Sequence, residues 1–240
     1  MMPRFLMLAA LAIAARAADL PVAVLISANA EWRALKPFYP GAVVKTSPYG
    51  EYFYRDVDHT RVLFFQGGWG KVAAVASTQY VIDHFHPARL MNLGTCGGVE
   101  GRIQRFEIVA PEKTVVYDIA EAMGDSAEAI AHYTTTIALP AKLPAARKVT
   151  MYSADRDLTS AGLREIDRRF QPVVVDWESG AIAWVANRNH VPLLILRGVS
   201  DLVSFEKAEA EANLGLFAEN AGRVMKKLAT DLPQWIAAFR

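Results

Sequence analysis

The stretch from Val173 to Asp201 constrains this chain more than any other. An apolar, β-branched run (Val173 to Val175) stands directly before Asp176, Trp177 and Glu178. A helix-like segment from Ser179 to Arg188 follows, then a second apolar run from Pro192 to Leu196 that leads into Arg197, Gly198, Val199, Ser200 and Asp201. Such continuous apolar runs are expected of strands buried on both faces, as parallel strands covered by helices are. Two carboxylates, Glu178 and Asp201, then emerge at strand ends, and in an open α/β sheet that edge is where ligands are held.

The rest of the chain repeats this pattern. Val22 to Ser27 reads as a first buried strand and delivers a helix in which Asn29 is placed to cap and Glu31 falls in the first turn, near the positive end of the dipole. Tyr49 to Val57 and Arg61 to Gln66 read as a hairpin turning at Asp58 to Thr60. Gly67-Gly68-Trp69-Gly70-Lys71 then opens a helix expected from Val72 to His86; the long glycine-to-lysine spacing of a Walker A loop is absent. Arg89 to Leu93 is a strand, and Gly94-Thr95-Cys96-Gly97-Gly98 reads as a turn whose backbone can approach a ligand closely.

Two further strands are expected at Glu107 to Ala110 and Lys113 to Tyr117. Residues 118–146, with Pro140 and Pro144, lack periodicity and read as an excursion over the site or an oligomer contact. Val149 to Ser153 is a strand ending in Ser153-Ala154-Asp155-Arg156-Asp157-Leu158. Thr159 to Arg169 reads as a helix, Ser200 to Phe205 as a loop, and Lys207 to Ala229 as a long amphipathic helix.

Asp-Trp-Glu-Ser-Gly-Ala-Ile-Ala at 176–183, with Leu-Arg-Gly-Val-Ser-Asp at 196–201, resembles the V-[ED]-M-E-[AT]-x-A-[IV]-A and R-x-[IV]-S-D signatures of the purine nucleoside phosphorylase superfamily. Its hydrolytic branch, the 5′-methylthioadenosine/S-adenosylhomocysteine nucleosidases, is the most similar. Gly68 to Ala74 is similar to the family's G-[IV]-G-K-[VA]-x-A, and Asn92 to Gly98 to its N-x-G-[ST]-[AC]-G-G loop beside the ribose. The resemblance implies a three-layer α/β/α domain over residues 18–240, built on a twisted, mixed, largely parallel sheet.

It also implies roles. Asp201 is the candidate acid that protonates the departing purine, with Ser200 holding its geometry; Glu178 binds the ribose hydroxyls and steadies the ribosyl cation; Glu31 orients and deprotonates water. Thr95 and Gly97 line the ribose side, and Asp157 and Leu158 stand in the loop that meets the purine edge. Trp177 takes the place of a methionine beneath the ribose, and Asp157 that of an aromatic ring expected to stack on the base. These carboxylates match the needs of N-ribosidic cleavage, which resemble those of two-carboxylate glycoside hydrolysis: a proton for the leaving group, negative charge near the sugar and an oriented nucleophile.

Phosphorylases of the superfamily carry a G-D-P-x-R type loop after the first strand and an arginine before the glycine turn. Ser27 to Glu31 and Asn92-Leu93 stand in those places here, so water is the expected acceptor. Phosphorolysis through an unusual anion site at Arg33 and Arg156 is the second enzymatic reading. A periplasmic nucleoside-binding protein without turnover is the non-enzymatic one.

Composition removes other classes. The net charge of +1 and the lack of a polybasic block argue against a nucleic-acid partner. Cys96 is the only cysteine, so no intrachain disulfide forms. His84 and His86 point to different faces of a helix, and no metal site or other cofactor is expected. Met1 to Arg4, Phe5 to Ala14 and Ala15-Arg16-Ala17 form the charged, apolar and small-residue parts of a signal peptide, 1–17, with an apolar run shorter than the roughly 20 residues that span a bilayer. A periplasmic or secreted location without a stable membrane anchor is expected, with a small nucleoside as substrate and, by resemblance, a homodimer.

Overall fold

Alternation along the first strand sorts the core into two faces. β1 (Val22–Ile26) sends Val22, Val24 and Ile26 to one side and Ala23 and Leu25 to the other, as the two-residue period of a strand requires. In this computed structural model residues 22–209 and 213–240 are described, so the expected signal peptide lies outside the described residues. α1 (Asn29–Leu35) follows β1, and β2 (Lys45–Thr46), β3 (Glu51–Val57) and β4 (Thr60–Gln66) form an antiparallel edge. The β3–β4 hairpin turns through Asp58 and His59, both with positive φ, as a two-residue hairpin loop demands.

α2 (Gly70–Phe85) leads to β5 (Arg89–Val99), and β6 (Ile108–Val116) precedes α3 (Ser126–His132) and β7 (Thr135–Thr136). Then come β8 (Arg147–Ser153), α4 (Ser160–Phe170), β9 (Val174–Asp176), α5 (Ser179–Arg188), β10 (Leu193–Val203) and α6 (Leu214–Ala238). The strand order is β10-β6-β8-β9-β5-β1-β4-β3-β2, and β10 also pairs with β5. One end of the sheet thus closes on itself, while β4 to β2 extend as an open wing.

α1 and α6 cover one face, where Trp32, Leu35, Met225, Leu228, Leu232 and Trp235 pack on Val24, Ile26, Phe64, Met91 and Leu196. α2 and α5 cover the other, placing Ala74, Val81, Ala181, Ile182 and Ala186 against Leu25, Phe65, Leu90 and Ile195. Small alanines on α5 let that helix lie close to the sheet. The three layers and the mixed sheet agree with the expected fold. β1–β4, β1–β5, β5–β10, β6–β8 and β8–β9 are parallel, whereas β9 runs antiparallel to β5 and β6 to β10.

Several local expectations change. Gly94 to Gly98 is no turn but the middle of β5, and Ser200 to Val203 is strand rather than loop, because β5 and β10 pair all the way to Val99↔Val203. Glycine is used there for close packing: a Cβ on Gly98 would lie 2.6 Å from Ile103 and 2.8 Å from Val199. The register slips between Val199 and Asp201, which leaves Ser200 as an extra residue that bends the strand and re-aims Asp201. The two strands expected around Pro111 are one strand, β6, with a register slip against β8 between Pro111 and Lys113 that leaves Glu112 as the extra residue. The final helix starts at Leu214 rather than Lys207, and 118–146 contains α3 and β7.

Candidate active site

Arg197 is the centre of the site. It sits in β10 after four buried leucine and isoleucine side chains and is 1% exposed, a position an arginine tolerates only when its charge is matched and its donors are used. Its Nη2 lies 3.0 Å from Asp176 Oδ2 and 3.4 Å from Glu178 Oε2, and its Nη1 lies 3.9 Å from Glu31 Oε1. Nη1 also donates to the Thr95 carbonyl at 3.1 Å, and Nε to Ser179 Oγ at 3.3 Å. The guanidinium needs Gly94: a Cβ there would stand 2.4 Å from Nη1 and 2.8 Å from Glu31 Oε1.

Each carboxylate is held by its own element. Glu31, in the first turn of α1, is 1% exposed. Its Oε1 accepts from Thr95 N at 2.6 Å and Thr95 Oγ1 at 2.8 Å, and its Oε2 accepts from Ala28 N at 3.0 Å. Ala28, not Asn29, holds the cap position of α1; Asn29 accepts from Gln66 instead. Glu178 follows β9, and its Oε1 accepts from Gly70 N at 3.0 Å. Although β9 opposes β5, the short strand and sharp turn into α5 bring Glu178 to the arginine within β10, the strand parallel to β5.

Asp176 binds Arg197 from within β9. It accepts from Ser153 Oγ at 2.5 Å and Ser179 N at 3.0 Å, and from Ser179 Oγ as well. Through these contacts Asp176 orients the arginine and the start of α5. Burial pushes the Glu178 carboxyl up to about 7, with Asp176 and Glu31 raising it further against the opposing pull of Arg197 and the Gly70 amide.

Asp201 forms a second group beside the first. Ser200 Oγ lies 2.6 Å from Asp201 Oδ1 and 3.3 Å from the Cys96 carbonyl, while Asn220 of α6 donates to the Ser200 carbonyl at 2.8 Å. Asp201 pairs in register with Gly97, where a Cβ would stand 3.5 Å from Asp201 Oδ2. Thr95 and Gly97 are alternate residues of β5 and face the same way, so one strand carries both the partner of Glu31 and the floor under Asp201. Burial raises the Asp201 pKa; the Ser200 hydrogen bond opposes this, Glu209 and Asp157 add to it, and Arg105 lowers it.

Leu158 is buried and Asp157 exposed in the loop after β8. Trp177 is half-buried and lies parallel to Trp69, with centroids 5.8 Å apart and planes 4° from coplanar. Glu31, Thr95 and Glu178 therefore meet at Arg197, and Ser200, Asp201 and Gly97 meet next to them. Asp176, Ser153 and Ser179 were missing from the expected site. An arginine embedded in the Leu193 to Val199 run was the available signal for such a cluster. A separate open cleft of about 350 Å³, lined by Trp32, Arg33, Lys36 and Glu51, holds Arg33 but none of the residues expected to act on the nucleoside; Trp32 and Lys36 both donate to Glu51 there.

Fold and site together define a class: a three-layer α/β protein that buries acidic side chains around one arginine at the strand edge of its sheet. The profile of the phosphorylase superfamily matches residues 34–232, and the chain belongs to that superfamily. It is 30% identical over 195 residues to the 5′-methylthioadenosine/S-adenosylhomocysteine nucleosidase of Actinobacillus succinogenes, covering 70% of this chain and 85% of the relative. It is 28% identical over 184 residues to the nucleosidase of the same name from Marinomonas sp., covering 70% and 80%. Among solved structures, the S-adenosylhomocysteine nucleosidase of Streptococcus pyogenes in complex with 5-methylthiotubericidin superposes with a TM-score of 0.75 at 17% identity, over 93% of this chain and 98% of that one.

Proposed function

We propose that this chain is a purine nucleosidase, which cleaves the N-ribosidic bond of a nucleoside of the 5′-methylthioadenosine/S-adenosylhomocysteine type with water as acceptor. The observation that carries this is the placement of Glu31: a buried carboxylate, held by Thr95 and 3.9 Å from Arg197, faces the site, and like charge there disfavours an anionic nucleophile. The two nucleosidase relatives support the same reaction class.

The chemistry divides among the residues as follows. Asp201, whose pKa burial raises, gives its proton to N7 of the base as the C1′–N9 bond lengthens, with Ser200 fixing the carboxyl. Glu178, backed by Arg197 and the Gly70 amide, accepts from the ribose hydroxyls and stabilises the positive sugar. Glu31 accepts a proton from water as its oxygen bonds to C1′. The products are free base and the reducing sugar. Thr95 donates twice to Glu31, which leaves its orientation fixed before substrate enters. Trp177 lies on the sugar side, and Gly97 and Leu158 line the walls; Asp157 offers the base a carboxylate rather than a ring to stack on.

Glu31→Gln tests the role of water. It is expected to lower base release by about 10²-fold or more while an unreactive nucleoside analogue still binds; unchanged hydrolysis would remove Glu31 from this step.

We further place the chain outside the cytoplasm, exported by residues 1–17 and acting as a homodimer. The tripartite N-terminus supports the first, and the exposed Trp69, Val72 and Val75 along one side of α2 beside the site support the second. Recovery of the chain from the cytoplasm with residues 1–17 attached would remove the first, and a monomeric mass in light scattering the second.

A further inference from the structure

The first turn of α2 is capped by side chains from elsewhere in the site. Trp69, at the cap position, has no side-chain oxygen, so the leading amides of the helix need outside acceptors. Gly70 N donates to Glu178 Oε1 at 3.0 Å, and the next amide, Lys71 N, donates to Asp155 Oδ1 at 2.7 Å. The Lys71 side chain binds Asp118 Oδ1 and lies 3.9 Å from Asp155 Oδ2, while Asp118 Oδ2 accepts from Asp155 N at 3.0 Å. Asp118 follows β6, Asp155 follows β8 and Glu178 follows β9. Loops from three strands are thus fastened to one helix start.

We propose that Lys71, Asp118 and Asp155 are positioning residues, a latch that holds the base-side loop 153–158 in fixed register with the sugar carboxylate Glu178. The inference rests on the assignment of Glu178 to the sugar and of loop 153–158 to the base. The physical basis is charge. The Lys71 and Asp118 side chains are 24% and 18% exposed, so the ammonium is what allows two aspartates to face each other. Without it, Asp118 and Asp155 repel, the Asp155 amide loses its acceptor and the loop moves away from the helix. Glu178 keeps the Gly70 amide, so the damage falls on how the base is held rather than on the sugar.

The test is Lys71→Met, with Lys71→Arg as the conservative control. Lys71→Met is expected to raise KM, and to weaken inhibition by the free purine base, by about tenfold, with kcat changed by less than about threefold. Lys71→Arg should restore both. Hydrogen–deuterium exchange without substrate gives an independent reading: amides at 153–158 should exchange faster in Lys71→Met while the bulk of the sheet does not. Unchanged exchange at 153–158, or a loss confined to kcat, would overturn the latch. Should Lys71→Met fail to fold, Asp118→Asn carries the same two readouts with the same expected directions. If the wild-type protein releases no base from any nucleoside, the functional assignment fails, and the exchange arm still decides whether the latch holds the loop.

Discussion

Asp201→Asn is expected to reduce base release by about 10²- to 10⁴-fold, the range spanned by loss of a general acid, while nucleoside affinity changes little. Asparagine preserves the shape of the group that Ser200 holds at 2.6 Å and that Gly97 makes room for, but has no acidic proton to give. Burial raises the Asp201 pKa, so the wild-type group carries its proton to higher pH than an ordinary aspartic acid. Activity should therefore fall on the alkaline side as Asp201 ionises, and on the acidic side as Glu178 takes up a proton. Single-turnover base release, measured against equilibrium binding of an unreactive analogue, checks this. Full turnover in the variant would move the proton donor elsewhere, and loss of binding in parallel would make Asp201 a binding group.

The second large effect is on stability. Arg197→Met is expected to destabilise the fold by about 3–5 kcal/mol, the cost of leaving buried charges without their partner, and to lower Tm by roughly 10 °C. Asp176, Glu178 and Glu31 would then face one another across the space the guanidinium occupies. Glu178→Gln should do the opposite above neutral pH. The folded pKa of Glu178 is raised from 4.5 to about 7, so the folded state binds this proton more tightly than the unfolded chain. The stability linked to that proton is fully present below about pH 4.5 and is lost as pH rises through about 7. At pH 8 the glutamine variant should thus be the more stable, with the gap closing towards pH 5. Thermal melts of both variants across that range check the pair; equal melting of wild type and Glu178→Gln at pH 8 would show that Arg197 already compensates the charge.

Much of this site was legible because its residues lie in short, contiguous motifs. Glu178 lies two residues past the end of β9 at Asp176, and Ser200 and Asp201 are adjacent, so local order alone marked them as candidates. Glu31 was proposed by its place soon after β1 and its spacing to Leu35. What was hidden depends on chain segments far apart. Asp176 becomes a structural carboxylate only when Ser153 from β8, Ser179 from α5 and Arg197 from β10 converge on it. The latch at Lys71 joins residues 47 and 84 positions distant along the chain.

The layers of the fold followed from apolar runs and their alternation, but the glycines of β5 were misleading. Gly94 to Gly98 carry the composition of a turn, yet they are strand, because Arg197, Glu31, Ile103 and Val199 press against that backbone where side chains would otherwise stand. β10 runs on past Arg197 because it stays paired with β5 as far as Val203↔Val99. Serine at 200 marks the bulge only after the pairing of both strands is known.

The most direct test of the central claim is base release from methylthioadenosine, S-adenosylhomocysteine, adenosine, inosine and guanosine by protein lacking residues 1–17, in buffers with and without phosphate. Release that is independent of phosphate, with a 5′-thioether nucleoside among the substrates, is the expected result. Release that requires phosphate would make the chain a phosphorylase with an anion site other than the usual one, and silence across the panel in both buffers would contradict its assignment as a purine nucleosidase.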